Sequence, residues 1–256
     1  MKKGGGSILQ DIRHEKILRK LKTKSSVQVA ALAKELGISE STVRRDINEL
    51  DRLGKLRKVH GGAISINGGM ASVTTDVSER KQKNVEEKES IARYAASMIE
   101  DSDFVYIDSG TTTERMIDYL ENKHATYVTN GITHAKKLIE KGFNAYIIGG
   151  VLRASTEAAI GSVAVEAVKN YNFTKCFMGA NGVDIYKGFS TPDVDEAAIK
   201  GAVIKQSYMA YILADHTKFG RISSVSFAGL QEAYIITDHI SDDEYCKYTE
   251  IKEAEK

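Results

Sequence analysis

Glu35-Leu-Gly-Ile-Ser39-Glu-Ser-Thr-Val-Arg44-Arg-Asp-Ile-Asn-Glu-Leu50-Asp-Arg-Leu53 reads as the end of one helix, a tight turn and a second helix. Gly37 suits the left-handed residue that closes a helix. Ser39 suits an N-cap, because its hydroxyl can accept a backbone N–H one turn on. Val43, Ile47, Leu50 and Leu53 recur with a 3.6-residue period and predict a buried face. Ser41, Thr42, Arg44, Arg45, Asn48 and Arg52 fall on the remaining surface. One side is built for a core and the other for an anionic partner rich in hydrogen-bonding edges, as a DNA recognition helix requires. A surface helix with solvated arginines would look the same in isolation. The upstream residues separate the two readings. Val27, Ala30, Ala31, Leu32 and Leu36 predict a short first helix, which with the Gly turn makes a helix-turn-helix. Ile12, Ile17, Leu18 and Leu21 predict a third helix closing a small core.

The charge distribution points the same way. The chain of 256 residues has a net charge of only +1. Residues 1–60 nevertheless hold 15 Lys+Arg against 7 Asp+Glu, which leaves 21 against 28 in the remainder. A basic balance confined to one module is the footprint of a nucleic-acid binder. The acidic remainder is expected to do something else, oligomer contacts included.

After Gly54, Leu56, Val59 and Ala63 are interleaved with Lys55, Arg57, Lys58 and His60 and with the pair Gly61-Gly62. That suggests a basic β-hairpin, a wing beside the recognition helix, though a basic linker is the alternative. Its cations should contribute affinity without sequence information. We therefore place a winged helix-turn-helix at residues 8–64 and a polar, Gly/Ser/Thr-rich linker at 65–75. Partial order is expected around Val77 to Arg80, and a second domain at 76–256. The opening Met-Lys-Lys-Gly-Gly-Gly-Ser has no apolar run after it, as a signal peptide would require, and reads as a disordered leader or a cloning scar. No apolar stretch approaches the ~20 residues of a membrane span. Two cysteines, Cys176 and Cys246, suit reduced thiols of a cytoplasmic protein.

From Val85 the pattern changes. A helical stripe of Ile91, Tyr94, Ala95, Met98 and Ile99 is followed by apolar runs at 104–107, 125–128, 143–148, 175–178, 209–214 and 233–236. Helical segments centre on 114–121, 132–141, 162–170, 194–207 and 242–249. Strands alternating with helices predict an α/β fold with a mostly parallel sheet.

The loops after the strands carry the chemistry. They hold Asp108-Ser109-Gly110-Thr111-Thr112, then Thr129-Asn130, Gly149-Gly150 with Arg153, Asn181-Gly182 with Asp184, and Asp215 with Lys218. In open α/β sheets ligands bind beyond the carboxyl ends of the strands. Ser109 to Thr112 leads into a helix and offers N–H groups and hydroxyls to an anion. There is no Walker lysine, and the glycine spacing does not match a dinucleotide fold, so a sugar phosphate fits better. Such loops are also simply how α/β proteins turn. Asp193 is a candidate N-cap, and Glu196 and Lys200 form an i, i+4 pair that could decorate a surface or face the ligand. The six histidines show no metal-ligand spacing, so neither a metal nor another cofactor is expected.

Taken together these residues resemble the DeoR family of bacterial sugar-catabolism repressors. The likeness rests on Ser39 to Asn48, Arg57 to Ala63, Lys88, Ile107 to Thr112, Val128 to Asn130, Gly149-Gly150, Gly179 to Gly182, Thr191-Pro192, Glu196, Lys200 and Ala214 to Phe219. The second domain is also similar to ribose-5-phosphate isomerase. That resemblance implies that Ser109 to Thr112 hold a phosphate. Asn181 stands where the isomerase pattern carries an aspartate, and Asp184, Lys187 and Glu196 lie near its acid/base group. An amide does not ionise, which favours binding over turnover. The expected protein is a repressor that binds double-stranded operator DNA as a homodimer or homotetramer and is modulated by a phosphorylated sugar. An activator of the same architecture and a phosphosugar isomerase or deaminase with a DNA-binding appendage are the alternatives.

Overall fold

The computed structural model describes residues 5–23, 26–65, 77–240 and 242–254. The N-terminal unit runs α1 (Gly5–Thr23), β1 (Ser26–Gln28), α2 (Val29–Leu36), α3 (Glu40–Arg52), β2 (Leu56–Val59) and β3 (Gly62–Ser65). Gly37 closes α2 at φ 64°, and the Ser39 hydroxyl accepts the Thr42 N–H at the start of α3. Ile17, Leu21, Val29, Leu32, Val43, Ile47, Leu50 and Leu56 make one small core.

The apolar faces differ from expectation at their ends. Leu53 is the C-cap of α3 and Ile12 lies on the outer side of α1; both are exposed. In α2, Val29 and Ala33 are buried, while Ala30 and Ala31 face out. The shift arises because Val27 belongs to β1, which pairs with β3 and sets the phase of the helix that follows. The wing is therefore three-stranded, in the order β1-β3-β2. Gly62 is required there, since a Cβ would lie 2.1 Å from the Val27 carbonyl oxygen. Asp46, on α3 but turned inward, accepts a bidentate pair from Arg13 at 2.7 and 2.9 Å and ties α1 to the recognition helix. Gly5 to Ser7, assigned above to a leader, already belong to α1. The predicted linker falls outside the described residues from 66 onward.

The second unit begins with α4 (Val77–Gln82) and α5 (Val85–Ser97). There follow β4 (Phe104–Ile107), α6 (Thr111–Met116), β5 (Thr126–Thr129), α7 (Ile132–Glu140), β6 (Asn144–Ile147), β7 (Val151–Arg153), β8 (Ala158–Ile160) and α8 (Ser162–Val168). The chain continues through β9 (Phe173–Gly179), β10 (Gly182–Asp184), β11 (Gly188–Thr191), α9 (Val194–Lys205), β12 (Ser207–Leu213), β13 (Val225–Ala228), β14 (Tyr234–Thr237) and β15 (Ile251–Glu253). Seven strands form one sheet in the order β15-β14-β12-β9-β4-β5-β6. Every neighbouring pair in it is parallel.

Alternation along the strands assigns the two faces. Val105, Ile107, Phe177, Tyr211 and Leu213 pack against α5, α6 and α7. Tyr106, Cys176, Met178 and Ile212 pack against α8 and α9. Burial on both sides explains why the strands read as continuous apolar runs. The expected helix at 242–249 is instead a 3-10 turn, Asp243–Lys247, that leads into β15. The short ribbons β7-β8 and β10-β11-β13 escape the pattern because each strand is only three or four residues long, too short to show a period.

Candidate functional site

The strand order reverses between β4 and β9, because successive β/α units run outward from that line in both directions. Such a switch point opens a crevice at the carboxyl ends of the strands. Here it holds a cavity of about 500 Å³.

Asp108, at the end of β4, organises the cavity floor. One carboxylate oxygen accepts the Gly110 N–H at 2.9 Å and the Thr113 hydroxyl at 2.8 Å. The other accepts the Gly179 N–H at 2.8 Å and pairs with the Lys200 ammonium. Burial opposes ionisation, but the Lys200 charge and these hydrogen bonds outweigh it, so the Asp108 pKa lies below the usual carboxylate value. Both oxygens are thus consumed by the protein. Asp108 shapes the Ser109–Thr112 loop and has little capacity left for a ligand. Lys200 is likewise committed to Asp108 and the Gly179 carbonyl rather than to Glu196. Glu196 accepts from the Thr191 hydroxyl at 3.0 Å. Asp108→Ala would strand the Lys200 ammonium in a buried site, an expected loss of ~3–5 kcal/mol of stability measurable by urea unfolding.

Of the residues singled out in the sequence, Asp108, Ser109, Gly110, Thr111, Thr112, Asn130, Asn181, Glu196, Lys200, Asp215 and Lys218 share the cavity wall. Six others do not. The Thr129 hydroxyl accepts the Gly131 N–H beneath the loop. Gly149 and Gly150 form the turn between β6 and β7. Arg153 pairs with Asp193 and Asp195 at the start of α9. Gly182 abuts the Arg221 backbone, and Asp184 caps its own hairpin turn by accepting the Tyr186 and Lys187 N–H groups.

The wall also contains residues that the loops do not reveal: Arg80, Lys83, Asn84, Lys88, Thr156 and Arg221. Asn84 starts α5 in the left-handed region at φ 52° and donates to Asp215 at 3.0 Å and to Thr217 at 3.2 Å. This docks α4 and α5 onto the loop after β12. Lys88 is buried and bonds to the Arg80 carbonyl. Desolvation, with Lys218 close by, pushes the Lys88 pKa down to about 8. Burial and the cations Arg221, Arg80 and Lys83 lower Lys218 as well, against the opposing pull of Asp215. Among the described residues, three buried atoms of the wall residues have no hydrogen-bond partner: Arg80 Nε, Asn130 Oδ1 and Thr156 Oγ1. A signal for Lys88 is present in the sequence. It stands one turn before Ile91 and Ala92 and two before Ala95 on the buried stripe of α5, where a lysine has no packing reason to be.

The other candidate surface lies on the N-terminal unit. The Ser39, Ser41 and Thr42 hydroxyls cluster within 2.8–2.9 Å at the start of α3. Arg44, Arg45 and Asn48 project into solvent along that helix, and Lys55, Arg57, Lys58 and His60 are exposed on the wing. The two units meet at a second cavity of about 140 Å³, lined by Val27, Gln28 and Leu32 on one side and Ile185, Phe219, Gly220 and Tyr245 on the other. The segment 215–221 therefore runs from the large cavity to the underside of the helix-turn-helix. Gly220 N–H donates to the Tyr245 hydroxyl at 2.8 Å, and Phe219 meets the Tyr245 ring edge-on at 5.0 Å.

One grouping is invisible to spacing. Glu87, His216 and Asp238 bring potential ligand atoms within 4.8 Å of one another. The His216 ring and backbone N–H both bond Asp238, at 2.7 and 2.8 Å, so a hydrogen-bonded histidine accounts for the cluster. Cys176 is buried, and burial raises its thiol to about 12; Cys246 is exposed, and both are free. Among the described residues no helix is long and apolar enough to cross a membrane.

A winged helix-turn-helix joined to an α/β domain with a polar, cation-lined cavity defines a ligand-responsive DNA-binding regulator. Residues 13–68 match the DeoR-like helix-turn-helix domain, and residues 83–239 match the DeoR C terminal sensor domain. The chain belongs to the DeoR family of transcriptional regulators. It is 41% identical to the uncharacterized HTH-type transcriptional regulator FruR of Bacillus subtilis, covering 94% of this chain and 96% of that one. It is 34% identical to the lactose phosphotransferase system repressor of Staphylococcus aureus, covering 91% and 93%. Ribose 5-phosphate isomerase A from Methanocaldococcus jannaschii aligns at 13% identity and a TM-score of 0.40, over 54% of this chain and 55% of that one. That likeness is too distant to carry any residue's role across.

Proposed function

We propose that this chain is a cytoplasmic repressor of a carbohydrate-catabolism operon whose operator affinity is set by a phosphorylated sugar. The observation that carries the ligand reading is the convergence of Arg80, Lys83, Lys88, Lys218 and Arg221 on one cavity. Like charges crowd there, two of the ammonium groups are held below their usual pKa, and one buried guanidinium nitrogen lacks a partner. An anion would relieve all three. The phosphate fits between these cations and the Ser109–Thr112 loop. The unpartnered Asn130 and Thr156 oxygens suit the hydroxyls of a sugar. Relatives named as regulators of sugar systems support the same reading.

Binding is favoured over turnover. Asn181 does not ionise, the Asp108 oxygens are fully engaged, and Asp184 lies off the cavity wall. The ligand would act by binding two arrangements of the DNA-binding unit with different affinity. Segment 215–221 is suited to report occupancy, because Lys218 and Arg221 line the large cavity while Phe219 lines the small one between the two units. A single module reads few bases, so a homodimer or homotetramer on repeated half-sites completes the reading. An activator of the same build differs only in operator position. Reporter output after gene deletion separates the two, since loss of a repressor raises expression.

The test is a thermal-shift screen of the full chain against sugar phosphates, since a native-state ligand raises Tm. Free sugars should give no shift; equal shifts with and without the phosphate would refute the anion site. A pH dependence follows. A bound anion favours charged Lys88, so binding takes up protons near pH 8. Affinity is full below that pH and falls by up to about tenfold per pH unit above it. Sulfate, whose charge is constant over this range, is the probe. Titration by calorimetry in two buffers of different ionisation enthalpy reads the proton uptake.

A further inference from the structure

The β6 edge of the sheet is built differently from the β15 edge. β15 carries Lys252 and Glu253, charges that discourage further strand pairing. β6 is the outermost strand on the other side, with no described strand on its far edge. The run from Gly142 to Leu152 is eleven residues without a charge. Around it Ile139, Tyr146, Ile147, Val151, Leu152 and Val163 are each between 51% and 66% exposed. They form one band. Gly149-Gly150 turns the chain from β6 into β7, which pairs with β8, and Val151 lies near Gly161 at the start of α8, two residues before Val163. Tyr146 and Ile147 are consecutive and so lie on opposite faces of the strand. Each face of the open edge strand therefore carries a half-exposed apolar side chain, which is unusual for a monomeric surface.

We propose that this band is the contact between two copies of the chain, with β6 of one protomer running antiparallel to β6 of its partner across a two-fold axis. Three observations favour a second copy as the occupant. In a two-fold contact each residue near the axis meets its own image, so any charge there would face a like charge. An eleven-residue uncharged run avoids that repulsion. The unpaired N–H and C=O groups of β6 would be met by an identical set. The chain's own segment 66–76, Ile-Asn-Gly-Gly-Met-Ala-Ser-Val-Thr-Thr-Asp, does not alternate apolar and polar residues as an added strand would. The pairing would continue the parallel sheet of each sensor domain through the axis. It also leaves the cavity at the strand ends and the recognition helix free.

Two variants of the full chain test this. In the first, Ile147→Lys with Leu152→Lys places four like charges in the proposed contact. Light scattering with size exclusion should then fall from a multiple of 28.1 kDa to a single chain. Affinity for an operator with two half-sites should fall toward that for one half-site. The thermal shift produced by sulfate should persist, which separates loss of association from loss of the sensor fold. In the second, Cys246→Ser with Ile147→Cys should form an interchain disulfide under mild oxidation, visible as a covalent dimer on a non-reducing gel. An unchanged mass for the lysine variant, or no cross-link in an oligomeric wild-type background, overturns the proposal. So does a monomeric wild-type chain in which the thiol introduced by Ile147→Cys reacts slowly with a thiol reagent, because segment 66–76 or another protein would then cover the edge.

Discussion

Arg44→Ala and Arg45→Ala are each expected to weaken operator binding severely while leaving the sensor unchanged. Both side chains stand exposed on α3, and in this unit they touch only solvent or, for Arg44, the exposed Glu40 carboxylate. Removing them should alter stability by no more than ~0.5 kcal/mol. On DNA each contact is worth ~1–3 kcal/mol. A two-fold repressor loses it twice, so the expected drop is about 2–6 kcal/mol, from roughly thirtyfold to more than ten-thousandfold in Kd. Fluorescence anisotropy across a salt series distinguishes the kinds of contact. Loss of a phosphate contact lowers the salt slope by about one and weakens all sequences alike, whereas loss of a base contact relaxes specificity at one position. Unchanged affinity for both variants would remove α3 as the reading helix. Asp46, one residue away, should behave oppositely. Asp46→Ala breaks the bidentate pair with Arg13 and should lower stability first and DNA binding only through it.

Lys218→Ala is expected to abolish the response to the effector while operator binding without effector stays intact. Charge-assisted hydrogen bonds are worth ~1.5–3 kcal/mol, so affinity for a sugar phosphate should fall about tenfold to more than a hundredfold. Charged Lys218 also carries a net penalty, from burial first and then from the neighbouring cations, that the attraction of Asp215 offsets only in part. Its removal should therefore raise Tm slightly while eliminating the ligand-induced shift. Lys88→Met should act in the same direction, since Lys88 is held below its usual pKa by burial and by Lys218. Release from operator DNA by the sugar phosphate is the direct readout. Full release by either variant at wild-type concentration would exclude the cation cluster as the phosphate site.

The sensor loops illustrate how far local pattern reaches. Asp108, Asn181, Asp215 and Lys218 are legible because each follows an apolar strand run. In a parallel sheet every such position lies at the same edge. What is illegible is which of them a ligand can use. Asp108 reads as a ligand contact, yet four donors from three different segments saturate it. Lys200 reads as the partner of Glu196, because the two are one helical turn apart, but it reaches across to β4 instead. Arg80, Lys83 and Arg221 carry no signal of their own, since charged residues in a polar run usually mark a solvated face. Their convergence depends on how α4 folds back over the end of the sheet.

The amino-acid sequence by itself determined the two-unit organisation, the helix-turn-helix with its wing, the parallel α/β class and the edge on which ligand loops gather. Each of these follows from periodicity, capping and charge, which are properties of near neighbours in the chain. Along Glu35–Leu53 it also marked out the solvent-facing residues of α3 that the proposed reading offers to DNA, because one helix turns its core and solvent faces in fixed alternation. Only the tertiary structure decided that Asp46 faces inward to Arg13 and that Lys88 and Lys218 share a cavity. It likewise decided that segment 215–221 spans from that cavity to the helix-turn-helix. These depend on groups far apart in sequence being brought within hydrogen-bond or Coulomb range, and no local pattern records that proximity.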